Sequence, residues 1–180
     1  MSQIISITAL SSISPLGSDS QLIWENYCND EHCFVEKEID QAPTFVAPLN
    51  TNSVAKIEAL KQSDSKYKFL DDSVLYAMET SRSAIEQAGW TSNNVFGINI
   101  GSSRGATTLF EKHHKEYLDT GKAQTLASPT TTLGNISSWV AHDLQSSGPE
   151  ISHSITCSTA LHAVLNGVAW LKSGMVDKFL

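Results

Sequence analysis

A lone cysteine stands where an alternating stretch of sequence gives way to a helical one, in ISHSITCSTALHAV, residues 151–164. Strand signals stop at Thr156 and helical signals begin at Ser158, which predicts Cys157 at the start of a helix. A cysteine reacts as its thiolate, and the unpaired backbone N–H groups and dipole of a helix N-terminus stabilise that anion. Cys157 is therefore a candidate nucleophile, and a small, buried, inert thiol is the alternative that this pattern leaves open.

The helix predicted behind Cys157 is apolar on nearly every side, through Ala160, Leu161, Ala163, Val164, Leu165, Val168, Ala169, Trp170 and Leu171. Such a helix is expected in the core, with its N-terminus aimed at a cleft above the strand ends, where open α/β sheets place their ligands. His162 stands about 140° around the helix from position 157, so it does not face the thiol as a catalytic base would. We predict a packed histidine there, with Asn166 at i+4 as a candidate hydrogen-bond partner.

Two further patterns could suggest chemistry. Cys28 and Cys33 bracket His32 in CNDEHC, but a zinc site normally needs four ligands and the sequence offers no second cluster. We interpret this segment as a helix end and loop with incidental thiols. GSSRGATT, residues 101–108, follows a predicted strand as a phosphate loop would, but it lacks both the GK[ST] ending and the GxGxxG spacing. We interpret it as a tight strand-to-helix turn.

Composition limits the classes of function. The chain has 180 residues, 41% of them hydrophobic and 17% charged, with a net charge of −7, which indicates a globular domain with one sizeable core. The negative net charge disfavours nucleic acid or an anionic membrane as the main partner, because binding to either requires a basic surface. Three cysteines give no disulfide framework, so a reducing cytoplasm is expected. The N-terminal apolar run IISITAL is too short to span a bilayer and has no basic residue before it.

The elements that must position Cys157 alternate along the chain. Strands are predicted at 4–10, 95–101 and 151–156, with another beginning in MVDKFL, 175–180. Helices are predicted at 21–28 behind a Ser18 or Asp19 cap, and at 66–89, 109–121, 131–145 and 158–173. Residues 29–64 are the least regular part, with a candidate short helix near 54–60. This alternation predicts an α/β layer structure with a largely parallel sheet.

The helix predicted at 66–89 has the clearest pattern. Its apolar residues recur at spacings of three and four, and its charged residues fall on the opposite face. We predict the surface ion pairs Lys68–Asp72 and Arg82–Glu86, with Gly89 as the residue that ends the helix.

The order of these segments resembles that of the β-ketoacyl-[acyl-carrier-protein] synthases. IISITALSSISPLG resembles their first strand and turn, SRSAIEQAGW their early amphipathic helix, and FGINIGSS the following strand and glycine turn. LGNISSWVAHDLQSSGP resembles a helix with an asparagine near its start, SITCSTALHAV the nucleophile segment, and SGMVDKFL the next strand. The resemblance spans nearly the whole chain in the right order.

The resemblance implies a thiolase-like fold, in which two βαβαβαββ halves stack as five layers, α-β-α-β-α. Residues 1–180 would be the N-terminal half of this domain, with the C-terminal half absent. The chain ends on Phe179 and Leu180 within a strand pattern, which favours the same hypothesis. The family's two catalytic histidines and its lysine would lie in the second half, so the isolated chain is expected to be inactive.

The resemblance also implies the reaction and its participants. An acyl group would move from a carrier-protein thioester onto Cys157, and decarboxylation of malonyl carrier protein would give the carbanion that extends the chain by two carbons. The backbone N–H of Cys157 would form half of an oxyanion hole. The family implies no cofactor, and it implies acyl carrier protein and acyl and malonyl thioesters as partners in fatty-acid or polyketide-type synthesis. It also implies a homodimer or heterodimer that pairs through the strand EISHSI, 150–155.

One position departs from the family. Arg104 stands where an apolar residue often lines the acyl tunnel, and a guanidinium there would shorten or polarise the tunnel, or turn outward. This favours short, polar or unsaturated acyl groups. Three alternatives remain: a thiolase acting on coenzyme A thioesters, a non-catalytic partner subunit, and a structural domain with an inert thiol. Partner subunits typically lack the nucleophilic cysteine, so Cys157 argues against the second.

Overall fold

The computed structural model describes residues 4–91 and 95–180. Its helices are α1 (Ser20–Cys28), α2 (Thr51–Ser63), α3 (Asp72–Gln87), α4 (Thr107–Thr120), α5 (Ala127–Thr131), α6 (Asn135–Leu144) and α7 (Thr159–Ser173). Its strands are β1 (Val35–Ile39), β2 (Ala42–Val46), β3 (Ile98–Gly101) and β4 (Glu150–His153). Single 3₁₀ turns precede two of the helices, at Tyr67–Phe69 and Thr156–Ser158.

A parallel sheet forms around β3. On one side β3 pairs with β4, with Ile98 opposite Glu150 and Gly101 opposite His153. On the other side it exchanges backbone hydrogen bonds with the end of the chain, where Leu180 N–H donates to the Gly97 carbonyl (2.8 Å) and Asn99 N–H donates to the Leu180 carbonyl (3.0 Å). The predicted parallel sheet is confirmed, and so are its strands at 95–101, at 151–156 and in MVDKFL.

Helices cover both faces of this sheet. Ile98 is buried together with a core from α3 and α6 that includes Val74, Leu75, Met78, Ile136 and Val140. The opposite face packs on α7, and glycines permit a close approach there. A Cβ added at Gly101 would lie 2.8 Å from the Thr159 carbonyl oxygen, and one added at Gly167 would lie 2.3 Å from the Phe179 ring. The result is the predicted α/β layer structure.

The helix predicted at 66–89 begins later than expected. Asp71 caps α3, because its Oδ1 accepts the Ser73 N–H (3.0 Å), and Gly89 ends the helix as predicted, with φ +66°. The two predicted ion pairs do not form. Asp72 lies 3.7 Å from Lys61 on α2, and Arg82 binds Asp143 on α6. Asp72 and Arg82 therefore form their ion pairs with residues on other helices and not with residues of α3.

The irregular stretch 29–64 contains more structure than its pattern indicates. Strands β1 and β2 form an antiparallel hairpin whose two-residue turn, Asp40–Gln41, has φ values of +52° and +64°. Such turns favour glycine or asparagine, which this turn lacks, and Pro43 further obscures β2. The candidate helix near 54–60 is confirmed as the longer α2, capped by Asn50. The cap predicted at Ser18 or Asp19 is Asp19.

The strand predicted at 4–10 is wrong in this structure. The segment pairs with no strand among the described residues, and Ile4, Ile7 and Leu10 are 88%, 79% and 72% exposed. The edge of β3 where it could pair is occupied by residues 178–180. The helix predicted at 131–145 is confirmed as α6, which begins four residues later, at Asn135, while the short helix α5 just before it was not predicted.

The expectation that α7 is buried on every side is wrong for this chain. One stripe of α7 is buried, at Thr159, Ala163 and Gly167, a spacing of four that faces β3. Leu161, Val164 and Leu165 are 75%, 61% and 60% exposed. Within residues 4–91 and 95–180 no element covers this second apolar face.

Candidate active site around Cys157

Cys157 lies where its sequence context predicts. Strand β4 ends at His153, a 3₁₀ turn spans Thr156–Ser158, and α7 begins at Thr159. The thiol is exposed. The alternative of a buried core thiol does not fit this exposed position.

Thr159 holds the backbone on both sides of that turn. Its hydroxyl donates to the Thr156 carbonyl (2.6 Å) and accepts the Ile155 N–H (2.8 Å), and its side chain is buried. Thr156 has φ +50°, which a β-branched residue rarely adopts and which surrounding contacts must enforce. The Thr159 hydroxyl supplies those contacts. The sequence analysis missed this residue, although a hydroxyl at the start of a predicted helix is a recognisable capping signal.

His162 is bound to the backbone at the start of its own helix. Its Nδ1 lies 3.0 Å from the Ser158 carbonyl oxygen, one turn earlier on the same helix, so this nitrogen donates to the backbone. The packed role predicted for His162 agrees with this contact, while the candidate partner Asn166 was wrong. The backbone carbonyl lies within reach of the ring because side chains on a helix lean toward its N-terminus.

The loop that carries Arg104 is bound to the segment that leads to Cys157. Ser102 N–H donates to the His153 carbonyl (3.2 Å), and Ser154 Oγ donates to the Ser103 carbonyl (3.1 Å). Arg104 is exposed, and no ion pair connects it to another described residue. Arg104 is therefore an exposed, unpaired cation on a loop that is bound to residues 153 and 154.

Asp71 fixes the far end of this loop. Besides capping α3, it accepts the Leu109 N–H in the first turn of α4 through Oδ2 (3.0 Å). Its side chain is 5% exposed, so one buried carboxylate joins the starts of two helices. The loop between β3 and α4 is thus held at the strand by Ser102 and at the helix by Asp71.

The titratable groups with the largest shifts lie away from Cys157. The Asp143 carboxylate is buried between α3 and α6 and accepts from Arg82 Nε (2.7 Å), Arg82 Nη2 (2.5 Å) and the Tyr67 hydroxyl (2.7 Å). Burial, together with the hydrogen bond to Asp143, raises the pKa of Tyr67 to about 12. The hydrogen bond to Asp143 raises the pKa of Arg82. This cluster stabilises the helix pair behind the sheet.

A cavity of about 730 Å³ lies between α2, the start of α3, α4 and α5. Its lining is mixed in charge, with the lysines Lys61, Lys68 and Lys112 and the acidic residues Asp71, Asp72 and Glu116.

In the described part of the chain, no group of three or more histidine, cysteine or acidic side chains is placed to hold a metal ion. Cys28 is exposed at the end of α1, and His32 packs against Phe34. No helix in the described ranges is long and apolar enough to cross a membrane.

Comparison with known proteins gives a consistent family. Residues 2–180 match the family model "Beta-ketoacyl synthase, N-terminal domain". The chain is 25% identical, over 97% of its length, to 45% of the 3-oxoacyl-[acyl-carrier-protein] synthase 2 of Staphylococcus aureus. It therefore spans less than half the length of that curated relative.

Solved structures indicate the same fold. A β-ketoacyl synthase from Burkholderia phymatum STM815 superposes with a TM-score of 0.75 at 17% identity, covering 94% of this chain and 44% of that one. The ishigamide ketosynthase/chain length factor superposes with a TM-score of 0.73 at 17% identity, with the same coverage of both chains. The thiolase-like fold implied by the sequence resemblance is therefore confirmed. The match over residues 2–180 places the chain in the family of β-ketoacyl synthase N-terminal domains.

Proposed function

We propose that this chain supplies the nucleophilic part of a 3-oxoacyl-[acyl-carrier-protein] synthase. The observation that carries the proposal is the exposed thiol of Cys157, placed directly before α7 on a turn that Thr159 holds in an uncommon backbone conformation. A turn held in this way is typical of sites whose geometry must be fixed before the substrate binds. A thiol without a chemical role would not require such a turn.

The proposed reaction has two stages. The Cys157 thiolate attacks the acyl carbonyl, a new carbon–sulfur bond forms, and the carrier-protein thiol leaves. Malonyl carrier protein then loses carbon dioxide, and its carbanion attacks the acyl-enzyme, which releases the 3-oxoacyl product and restores the thiolate. The Cys157 N–H, at the first turn before α7, would stabilise the oxyanion in both stages. His162 is given no part in this scheme, because it stands about 140° around the helix from position 157.

A second half of the fold would complete the site. Curated and solved relatives are more than twice as long as the matched region. The exposed apolar face of α7, formed by Leu161, Val164 and Leu165, is suited to packing against such a half. We propose that residues 1–180 form the N-terminal half of a five-layered domain and that the second half brings the catalytic histidines and lysine. The isolated chain would then be inactive.

Arg104 would set the acyl specificity. Its loop is bound to residues 153–154 just before Cys157, and its guanidinium has no ion-pair partner within the described ranges. A charge at the mouth of an acyl site disfavours long saturated chains, because their burial beside an unpaired guanidinium is costly. Short, polar or unsaturated acyl groups are the expected substrates. Replacement Arg104→Ile should then raise kcat/KM for long saturated acyl groups, and an unchanged preference would count against this role.

The proposed partners are an acidic acyl carrier protein and a second subunit. Lys61, Lys68 and Lys112 line one cavity and offer positive charge to the carrier. Three acidic residues line the same cavity, and one of them, Asp72, lies 3.7 Å from Lys61. The outer edge of β4 pairs with no strand in the described part of the chain, so it is available to a homodimeric or heterodimeric partner. A cytoplasmic location is proposed with these partners.

The proposed function is tested by product analysis of the full-length gene product. With acyl and malonyl carrier proteins, we expect a 3-oxoacyl product that disappears in Cys157→Ser and persists in the control Cys28→Ser. Product formed equally well by Cys157→Ser would contradict the role of Cys157 as the nucleophile, and absence of product from the parent protein would favour the non-catalytic partner subunit. Product formed from two acyl coenzyme A molecules without loss of carbon dioxide would assign it to the thiolases.

A further inference from the structure

A polar pair connects the segment that leads to Cys157 with the neighbouring strand. His153 Nδ1 lies 2.9 Å from Asn99 Oδ1; Asn99 is 5% exposed and His153 is half-buried. The other polar atoms of these side chains, His153 Nε2 and Asn99 Nδ2, are buried without a hydrogen-bond partner in the described part of the chain. The contact between Nδ1 and Oδ1 is therefore the one hydrogen bond that either side chain makes there.

The pair lies on the face of the sheet that packs against α7. Gly101 is directly opposite His153, and Asn99 is two residues before Gly101, so all three share one face. A Cβ at Gly101 would lie 2.8 Å from the Thr159 carbonyl oxygen, which identifies this face as the one beneath α7. The alternate residue Ser152 faces α6 instead, since its hydroxyl accepts a backbone N–H there.

The four residues before Cys157 are each held by a hydrogen bond. The contacts are Ser102 N–H to the His153 carbonyl (3.2 Å), Ser154 Oγ to the Ser103 carbonyl (3.1 Å), Ile155 N–H to Thr159 Oγ1 (2.8 Å), and Thr159 Oγ1 to the Thr156 carbonyl (2.6 Å). His153 is the first of the four, and its side chain also forms a hydrogen bond to Asn99 on the neighbouring strand β3. Its bond to Asn99 therefore sets where the strand ends and the turn begins.

We propose that Asn99 and His153 are a positioning pair for Cys157. Because Asn99 Oδ1 can only accept, the His153 Nδ1–H donates to it, and this bond joins the end of β4 to β3. The positioning role rests on the proposed nucleophilic function of Cys157.

Thiol reactivity tests the positioning role. The rate of Cys157 alkylation by iodoacetamide is measured relative to that of Cys28 in the same molecules, so that general effects cancel. We expect His153→Val to lower this ratio at least about threefold, which corresponds to about 0.65 kcal/mol. His153→Asn, which keeps a donor for Asn99, should leave the ratio near that of the parent protein.

Ile136→Val is the control for simple loss of stability, because Ile136 is 2% exposed in the core on the other side of the sheet. A ratio unchanged in His153→Val, or lowered equally in Ile136→Val, would overturn the positioning role. These measurements use no acyl substrate. Failure of the condensation assay with an intact reactivity pattern would therefore contradict the proposed reaction and leave the positioning pair supported.

Discussion

At the scale of single residues, the environment of Cys157 is determined by side chains that do not themselves react. The position of the cysteine could be predicted from the change of pattern at Thr156 and Ser158, which is a local signal. The roles of Thr159 and His153 could not, because each depends on a contact formed only after folding: the Thr159 hydroxyl with a strained turn, and the His153 ring with a strand about fifty residues earlier.

Replacing Thr159 should weaken the turn. Thr159→Val keeps the shape of the side chain but leaves the Ile155 N–H and the Thr156 carbonyl without their partner. We expect a loss of roughly 1–3 kcal/mol in the free energy of unfolding, measured by urea denaturation. Thr159→Ser keeps the hydroxyl and should lose much less. Equal losses in the two variants would show that the hydroxyl is not what holds the turn.

Tyr67 should make stability depend on alkaline pH. Its folded pKa of about 12 lies above the usual tyrosine value of 10.0, so its contribution to stability is fully present below pH 10 and is lost as pH rises toward 12. This loss amounts to at most about 3 kcal/mol. Between pH 9 and 12, the fall in urea midpoint should be smaller in Tyr67→Phe than in the parent protein. The exposed Tyr27 gives the control Tyr27→Phe, and a fall that shrinks equally in both variants would contradict the assignment.

At the scale of elements, the spacing of apolar residues predicts those helices and strands that pack against a single neighbour. Helix α3, strands β3 and β4 and the start of α7 follow from apolar spacing and capping residues. The hairpin of β1 and β2 was missed because its turn, Asp40–Gln41, has neither glycine nor asparagine. The strand predicted at 4–10 was wrong for a different reason. Its apolar residues indicate that the segment should be buried, but a strand also needs a free sheet edge with which to pair. Residues 178–180 occupy the edge of β3 where it could pair.

The closeness of α7 to the sheet can be tested at Gly101. Gly101→Ala would place a Cβ 2.8 Å from the Thr159 carbonyl, a backbone atom that moves only if α7 moves. We expect a loss of roughly 1–3 kcal/mol in unfolding free energy, together with altered alkylation of Cys157. Gly134→Ala is a matched control, since a Cβ there meets nothing within 4 Å and φ is −60°. A Gly101→Ala protein as stable as Gly134→Ala would contradict the observed packing.

At the scale of the whole molecule, the sequence places more apolar residues on α7 than this chain buries. The all-round apolar helix after Cys157 led us to expect burial on every side, yet only the stripe facing β3 is covered. The pattern and the structure agree if the uncovered face packs against the second half that we propose. Burial in a larger assembly cannot be separated from burial within one chain by periodicity alone.

Leu161 distinguishes the two cases, because it is 75% exposed in this chain. Leu161→Asp should leave the stability of residues 1–180 within about 0.5 kcal/mol of the parent value, as expected for a surface position. In a full-length protein with the second half packed on α7, the same change should destabilise by several times that amount, since it would bury an unpaired carboxylate. Urea denaturation of both lengths measures the difference, and equal effects would contradict the proposed packing.

The central claim is that Cys157 carries the acyl group, and peptide mass mapping tests it most directly. The full-length gene product is incubated with acyl carrier protein loaded with a short acyl chain, without malonyl carrier protein, and is then digested. We predict a mass increase of one acyl group on the peptide that contains Cys157, absent from the peptides of Cys28 and Cys33 and lost in Cys157→Ser. An acyl group found on another residue, or acylation that persists in Cys157→Ser, would contradict the account.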